Sequence, residues 1–225
     1  MKIVFALGGS VVVPDKVDYA YIRRFADFAT KLAKKHQIVI VVGGGKTARR
    51  AIATAKEQGA NQVECDYAGI GASRENAKML IDALDGNANN EVPHDFISAK
   101  KEFDGGKIIV MGGTEPGHST DAVAIIMGEY IDANIIFKIT DVDGIYDKDP
   151  QKFGDAKRYE FLSLDKLQEM VLGLSQEAGK YELVDVVGVK ILQRSGIRCI
   201  ALSGHDFKNI EKAINGSKFI GTIIQ

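Results

Sequence analysis

Ile38-Val39-Ile40-Val41-Val42-Gly43-Gly44-Gly45-Lys46-Thr47-Ala48-Arg49-Arg50 is the stretch from which the fold can be read. Five β-branched residues make a buried strand, three glycines break it, and Ala48, Ile52 and Ala55 then recur at helical spacing. Glycines at a strand-to-helix junction let backbone N–H groups approach an anion, and the helix dipole favours negative charge there. Lys46, Thr47, Arg49 and Arg50 supply cations and a hydroxyl that suit a phosphate. A tight turn with solvated basic side chains is the plainer alternative.

The same alternation runs outward in both directions. Lys2 to Leu7 reads as a strand ending in Gly8-Gly9-Ser10. A helix from Asp18 carries Ile22, Phe25, Ala29 and Leu32 inward. Asp18 suits its N-cap, and Lys34, Lys35 and His36 suit its C-terminal end, where His36 reads as a helix-end charge. Cys65 to Gly71 reads as a further turn, with Asp66 at a strand-to-turn position. A helix with Ala77, Leu80, Ile81 and Leu84 then stops at Gly86, and Asn87 to Asp95 is a surface connection. Ile108 to Met111 is a strand opening into Gly112-Gly113-Thr114-Glu115-Pro116-Gly117-His118-Ser119-Thr120-Asp121, and a helix with Val123, Ile126 and Met127 follows. That loop holds more hydrogen-bonding groups than a connector requires.

Beyond it, Ile135 to Ile139 is a strand ending in the acidic run Thr140 to Pro150, whose spacing fails the EF-hand pattern. Ser163 caps a helix bearing Leu164 and Leu167, and Gly173 to Asp185 has no clear pattern. Val186 to Arg194 is helical, Ile197 to Leu202 is a strand, Asp206 caps a short helix, and Phe219 to Ile224 is a last strand. Strands alternating with helices predict an α/β, three-layer α/β/α sandwich with a largely parallel sheet. Ligands then bind beyond the carboxyl ends of the strands, where the glycine loops at 8–10, 43–46, 112–117 and 140–144 all fall.

Composition narrows the chemistry. The 225 residues carry 29 basic and 30 acidic groups, a net charge of −1, which argues against a dedicated nucleic-acid binder. Cys65 and Cys199 stand apart without metal-ligand spacing, so a reduced, cytoplasmic setting is expected and no protein metal site. No run approaches the ~20 apolar residues of a membrane span, and the N-terminal apolar segment is too short for a signal peptide. A Walker A loop fails because its first glycine position is Ile40. Gly43-x-Gly45-x-x-Ala48, with Glu64 or Asp66 about 20 residues on, meets a minimal dinucleotide fingerprint but leaves three glycine loops unexplained. Four loops at one sheet edge suit two ligands with several phosphates, and phosphoryl transfer asks mainly for amides, cations and Mg²⁺.

Together, Leu7-Gly8-Gly9-Ser10, Val42-Gly43-Gly44-Gly45, the loop Gly112 to Asp121, and Thr140-Asp141-Val142-Asp143-Gly144-Ile145-Tyr146 with Asp149-Pro150 resemble the amino-acid kinase superfamily over essentially the whole chain. The run Gly43 to Arg50, Asp66 before Gly69, and Gly-Gly-Thr-x-Pro-Gly-x-Ser-Thr-Asp are most similar to archaeal-type uridylate (UMP) kinases. The resemblance implies phosphoryl transfer from ATP to UMP in one domain over residues 1–225. Its acceptor side lies mainly in 1–130 and its ATP side mainly in 131–225. It implies that Gly9, Ser10, Gly45 and Arg49 hold the ATP phosphates and that Thr140, Tyr146 and Asp149 surround the nucleoside. On the acceptor side Gly44 would face UMP and Asp66 would accept from the ribose hydroxyls. Thr114, Glu115, Pro116, Gly117, His118, Ser119 and Thr120 would take the uracil and phosphate ends. Mg²⁺ would be carried by the ATP phosphates. A homohexamer is implied, with the helix from Asp18 to Lys35 as an interface candidate, and inhibition by UTP is compatible with the resemblance.

One departure stands out. Many superfamily members have Lys two residues before the first glycine of the Gly8-Gly9 turn, where this chain has Ala6. Lys46 is the expected substitute, as the catalytic cation beside Gly45. Asp121 either orients a lysine or caps its helix. Other readings are a kinase for a carboxylate, carbamate or isopentenyl phosphate, and a nucleotide-binding regulator that has lost catalysis.

Overall fold

The computed structural model describes residues 1–173 and 184–225. In chain order the elements are β1 (Lys2–Leu7), α1 (Gly9–Val12), α2 (Tyr19–Ala33), β2 (Gln37–Val42), α3 (Gly45–Glu57), α4 (Gln62–Ala83), α5 (Phe96–Asp104) and β3 (Ile109–Met111). There follow α6 (Thr120–Tyr130), β4 (Ile135–Thr140), β5 (Phe161–Leu162), α7 (Leu164–Gly173), α8 (Val186–Ser195), β6 (Cys199–Ser203), α9 (Phe207–Ile214) and β7 (Thr222–Ile224). The strands form one seven-stranded sheet in the order β3-β2-β1-β4-β6-β7-β5. Neighbours run parallel except β6 and β7.

Alternation along the strands divides the apolar side chains between two cores. Ile3, Phe5 and Leu7 of β1 join Ile38, Ile40 and Val42 of β2 on one face, covered by α2, the C-terminal half of α4, and α9. Val4 and Ala6 join Val39 and Val41 on the other, covered by α5, α6 and α8. Central strands buried on both faces read as continuous apolar runs, which is why β1, β2 and β4 were readable. The three-layer α/β/α sandwich is the architecture expected.

Several local expectations are corrected. Asp66 does not sit at a strand-to-turn position but inside α4, which starts at Gln62 and runs through Gly69 and Gly71. A capping box starts it: Asn61 Oδ1 accepts from the Glu64 N–H at 3.1 Å, and Glu64 accepts from the Asn61 N–H at 2.7 Å. Glu64 is thereby taken as a capping residue rather than a ribose ligand. The turn at Gly8-Gly9-Ser10 continues into the single helical turn α1. The helix α5, capped by Asp95, and the two-residue β5 went unread. His36 follows α2, and burial, the N-terminal amine and Lys35 all lower its pKa, which disfavours the helix-end charge expected. The stretch from Gly173 to Asp185 lies mostly outside the described residues.

Candidate active site

The carboxyl ends of β1, β2 and β4 bring the first two glycine turns into contact. Gly43 N–H donates to Leu7 O at 2.8 Å and Gly8 N–H donates to Ile139 O at 2.8 Å, so both turns extend the sheet ladder by one step. A Cβ on Gly9 would lie 1.9 Å from Gly45 N, and one on Gly43 would lie 2.6 Å from Gly9 N. The backbones therefore meet where no side chain fits, and Gly45 adopts a left-handed φ of +56° to do so. Thr120 Oγ1 is 3.3 Å from the same Gly43 Cβ position, which brings the start of α6 to this junction.

Lys138 is the residue that the sequence reading missed. It pairs in register with Ala6 on the adjacent strand, on the same face of the sheet. Its amine lies 2.5 Å from Asp121 Oδ2, and both side chains are mostly buried, at 14% and 19% exposure. Asp121 is not the cap of α6. Ser119 is, accepting from the Ala122 N–H at 3.1 Å. The signal in the sequence was a lone lysine among Ile135, Ile136, Phe137 and Ile139. Nearby Cys199 is fully buried, and burial pushes its thiol up to about 12, so it is no nucleophile.

Lys46 takes a different position. Its amine lies 2.6 Å from Asp15 Oδ1 at the surface, with Arg50 at 3.4 Å from the same oxygen, and Lys46 holds the Asp15 carboxyl below its ordinary pKa. Arg49 is exposed.

The third loop is laced to α4. Asp66 Oδ2 accepts from the Gly117 N–H at 2.9 Å, and Ser73 Oγ accepts from the Gly113 N–H at 2.8 Å. Arg74 donates to Gly113 O at 2.9 Å and Thr114 O at 3.2 Å, with Glu115 offsetting the effect of burial on its charge. Asp185, the N-cap of α8, also accepts from the Ser119 N–H at 2.7 Å, joining the two halves of the chain. Thr114 Oγ1 and His118 Nδ1 are buried atoms without a hydrogen-bond partner among the described residues. Such groups are costly unless something satisfies them, as a ligand would. Glu115 and Gly117 are exposed, while Pro116 and Ser119 are partly so.

Ser10, Thr140, Tyr146 and Asp149 cluster round the fourth loop. Ser10 Oγ lies 3.4 Å and Thr140 Oγ1 3.0 Å from Asp141 Oδ1. The Tyr146 hydroxyl donates to Asp143, and Asp149 accepts from the Gln151 N–H at 2.9 Å. Arg158 donates to Gly221 O, tying this loop to the approach to β7.

Glycine amides, a buried Lys–Asp pair and hydroxyl-rich loops at the carboxyl edge of a mostly parallel sheet are the features of a phosphate-handling α/β protein. The sequence profile of the Amino acid kinase family matches residues 1–203. Relatives over nearly the full length include the uridylate kinase of Methanobrevibacter smithii, 43% identical over 99% of this chain and 98% of the relative. That of Methanocaldococcus jannaschii is also 43% identical, with both chains fully covered. Among solved structures, the uridylate kinase of Archaeoglobus fulgidus superposes with a TM-score of 0.87 at 40% identity over all of both chains. The UMP kinase of Ureaplasma parvum, 22% identical over all of this chain and 98% of that one, shares the fold with a TM-score of 0.81. The chain belongs to the amino acid kinase family.

Proposed function

We propose that this chain is a nucleoside monophosphate kinase that transfers the γ-phosphoryl group of ATP to UMP, giving UDP and ADP for pyrimidine nucleotide synthesis. The observation that carries the reading is the lacing of Asp66 to Gly117, which puts a carboxylate suited to a ribose diol on the hydroxyl-rich loop. Full-length likeness to uridylate kinases supports UMP over other acceptors.

In the reaction an oxygen of the UMP phosphate attacks Pγ, the bond from Pγ to the bridging oxygen of ADP breaks, and ADP leaves. The attacking phosphate is already an anion, so positioning and charge stabilisation dominate. Gly9, Ser10, Gly45 and Arg49 hold the donor phosphates, and Thr140, Tyr146 and Asp149 surround its nucleoside. Gly44 faces the acceptor, and residues 114–120 take its base and phosphate. Asp141, beside Ser10 and Thr140, would hold Mg²⁺ or its waters, and the ion, carried by the ATP phosphates, would neutralise charge on them. Two cations serve the transferred group. Lys138, fixed by Asp121 beside Ala6, supplies a held charge, and Lys46 supplies a second when it leaves Asp15.

From the family likeness we extend the proposal to a homohexamer with α2 sharing the contact, to inhibition by UTP, and to a cytoplasmic location. None of the described helices is long and apolar enough to cross a membrane.

A coupled assay of ADP release over UMP, CMP, acetylglutamate, carbamate and isopentenyl phosphate tests the function. Turnover with UMP far above the others is expected. Preference for another acceptor would replace UMP, and nucleotide binding without turnover would make the chain a regulator.

A further inference from the structure

Asn76 of α4 is completely buried, yet its side-chain amide faces main-chain groups of the glycine turn. Its Nδ2 donates to Gly43 O at 2.8 Å and to Gly44 O at 3.1 Å. The amide orientation is unambiguous, because the flipped form would set its oxygen against two carbonyl oxygens. Gly44 O also accepts from the Ala48 N–H at 3.1 Å. Asn76 Oδ1 has no hydrogen-bond partner among the described residues, so the contacts that hold the residue are those of its donors.

A trans peptide is planar, with its C=O and N–H directed oppositely. Fixing Gly43 O therefore fixes the Gly44 N–H, and fixing Gly44 O fixes the Gly45 N–H, both aimed away from α4. Gly45 N lies on the Gly9 side, 1.9 Å from the position of a Gly9 Cβ, where the two glycine turns meet. Neither N–H has a hydrogen-bond partner among the described residues. Three glycines in a row lack side chains to hold this arrangement, and glycine is the residue with the most backbone freedom to lose.

We infer that Asn76 is a positioning residue for phosphoryl transfer: it orients the two successive peptides of Gly43-Gly44-Gly45 so that their N–H groups meet the phosphate passing between donor and acceptor. The inference rests on the kinase reading above. Preorganised donors act on charge that develops in the transition state, so losing their orientation affects turnover more than acceptor binding.

The test uses the full chain with MgATP and UMP, with Asn76→Leu and Asn76→Asp beside wild type. In Asn76→Leu, kcat falls at least roughly 30-fold while KM for UMP stays within about threefold, measured well below the variant's own melting temperature. Asn76→Asp keeps the volume, and its neutral carboxyl can still donate to one carbonyl. Its kcat relative to wild type therefore rises as pH falls from about 8 to about 6. A merely structural Asn76 would lower the melting temperature and leave both the kcat of folded enzyme and the pH ratio unmoved. A folded Asn76→Leu with kcat within about threefold of wild type overturns the inference, as does a flat pH ratio in Asn76→Asp if Asn76→Leu does not fold. Wild type inert towards UMP overturns the acceptor assignment and the inference with it.

Discussion

Lys138 and Lys46 stand in opposite surroundings, and the difference separates what each substitution should do. Lys138 is mostly buried against Asp121, and removing one partner of a buried pair strands the other charge, typically at about 3–5 kcal/mol. Lys138→Met should therefore lower both melting temperature and turnover, the latter by at least roughly 10²-fold. The pair of Lys46 with Asp15 is exposed and contributes little to stability. Lys46→Ala should leave the melting temperature nearly unchanged and, if its amine reaches the transferred phosphoryl, lower kcat by at least roughly 10²-fold. Thermal melts and steady-state kinetics on the two variants check both statements. Near-normal turnover in Lys46→Ala would leave the charge to Lys138 alone. Lys46 was visible in the sequence because it adjoins the glycines. Lys138 was not, because its role depends on a partner 17 residues away and on strand register with Ala6.

Among the elements, α4 departs most from its sequence reading, and the reason is physical. Gly69 and Gly71 fall inside a helix, where glycine costs about 1 kcal/mol relative to Ala, so the segment reads as a turn. The capping box at Asn61 and Glu64 starts the helix, and the absent side chain at Gly69 leaves room for α3, since a Cβ there would lie 3.2 Å from Ile52 Cδ1. Asp66, Ser73, Arg74 and Asn76 thereby share one helix that meets both the glycine turn and the loop at 112–121. The first two glycine turns test the same close packing. Gly9→Ala would drive a methyl group into Gly45 N, a backbone atom that cannot swing aside. That variant should lose ATP-dependent turnover altogether, whereas Gly71→Ala, where a Cβ meets nothing within 4 Å, should keep it. Kinetics on the pair, with circular dichroism to confirm folding, separates packing at the site from glycine loss in general.

Across the molecule, the α/β class and the convergence of the glycine loops were legible because buried parallel strands read as apolar runs and ligand loops follow their carboxyl ends. Strand order was not legible, since pairing of β1 with β4 and of β5 with β7 joins residues far apart in the chain. The cross-links between the halves, Asp121 with Lys138 and Ser119 with Asp185, were hidden for the same reason. They tie the loop at 112–121 and the start of α6 to β4 and α8 in the later half of the chain, so the glycine loops belong to one connected set of groups. The claim that unites these observations is direct transfer between two bound nucleotides. A ³¹P NMR spectrum of the protein with MgATP and UMP tests it most directly. UDP resonances should grow in step with ADP, with no ADP formed in the absence of UMP; ADP formed at the same rate without UMP, or with no UDP, would contradict direct transfer.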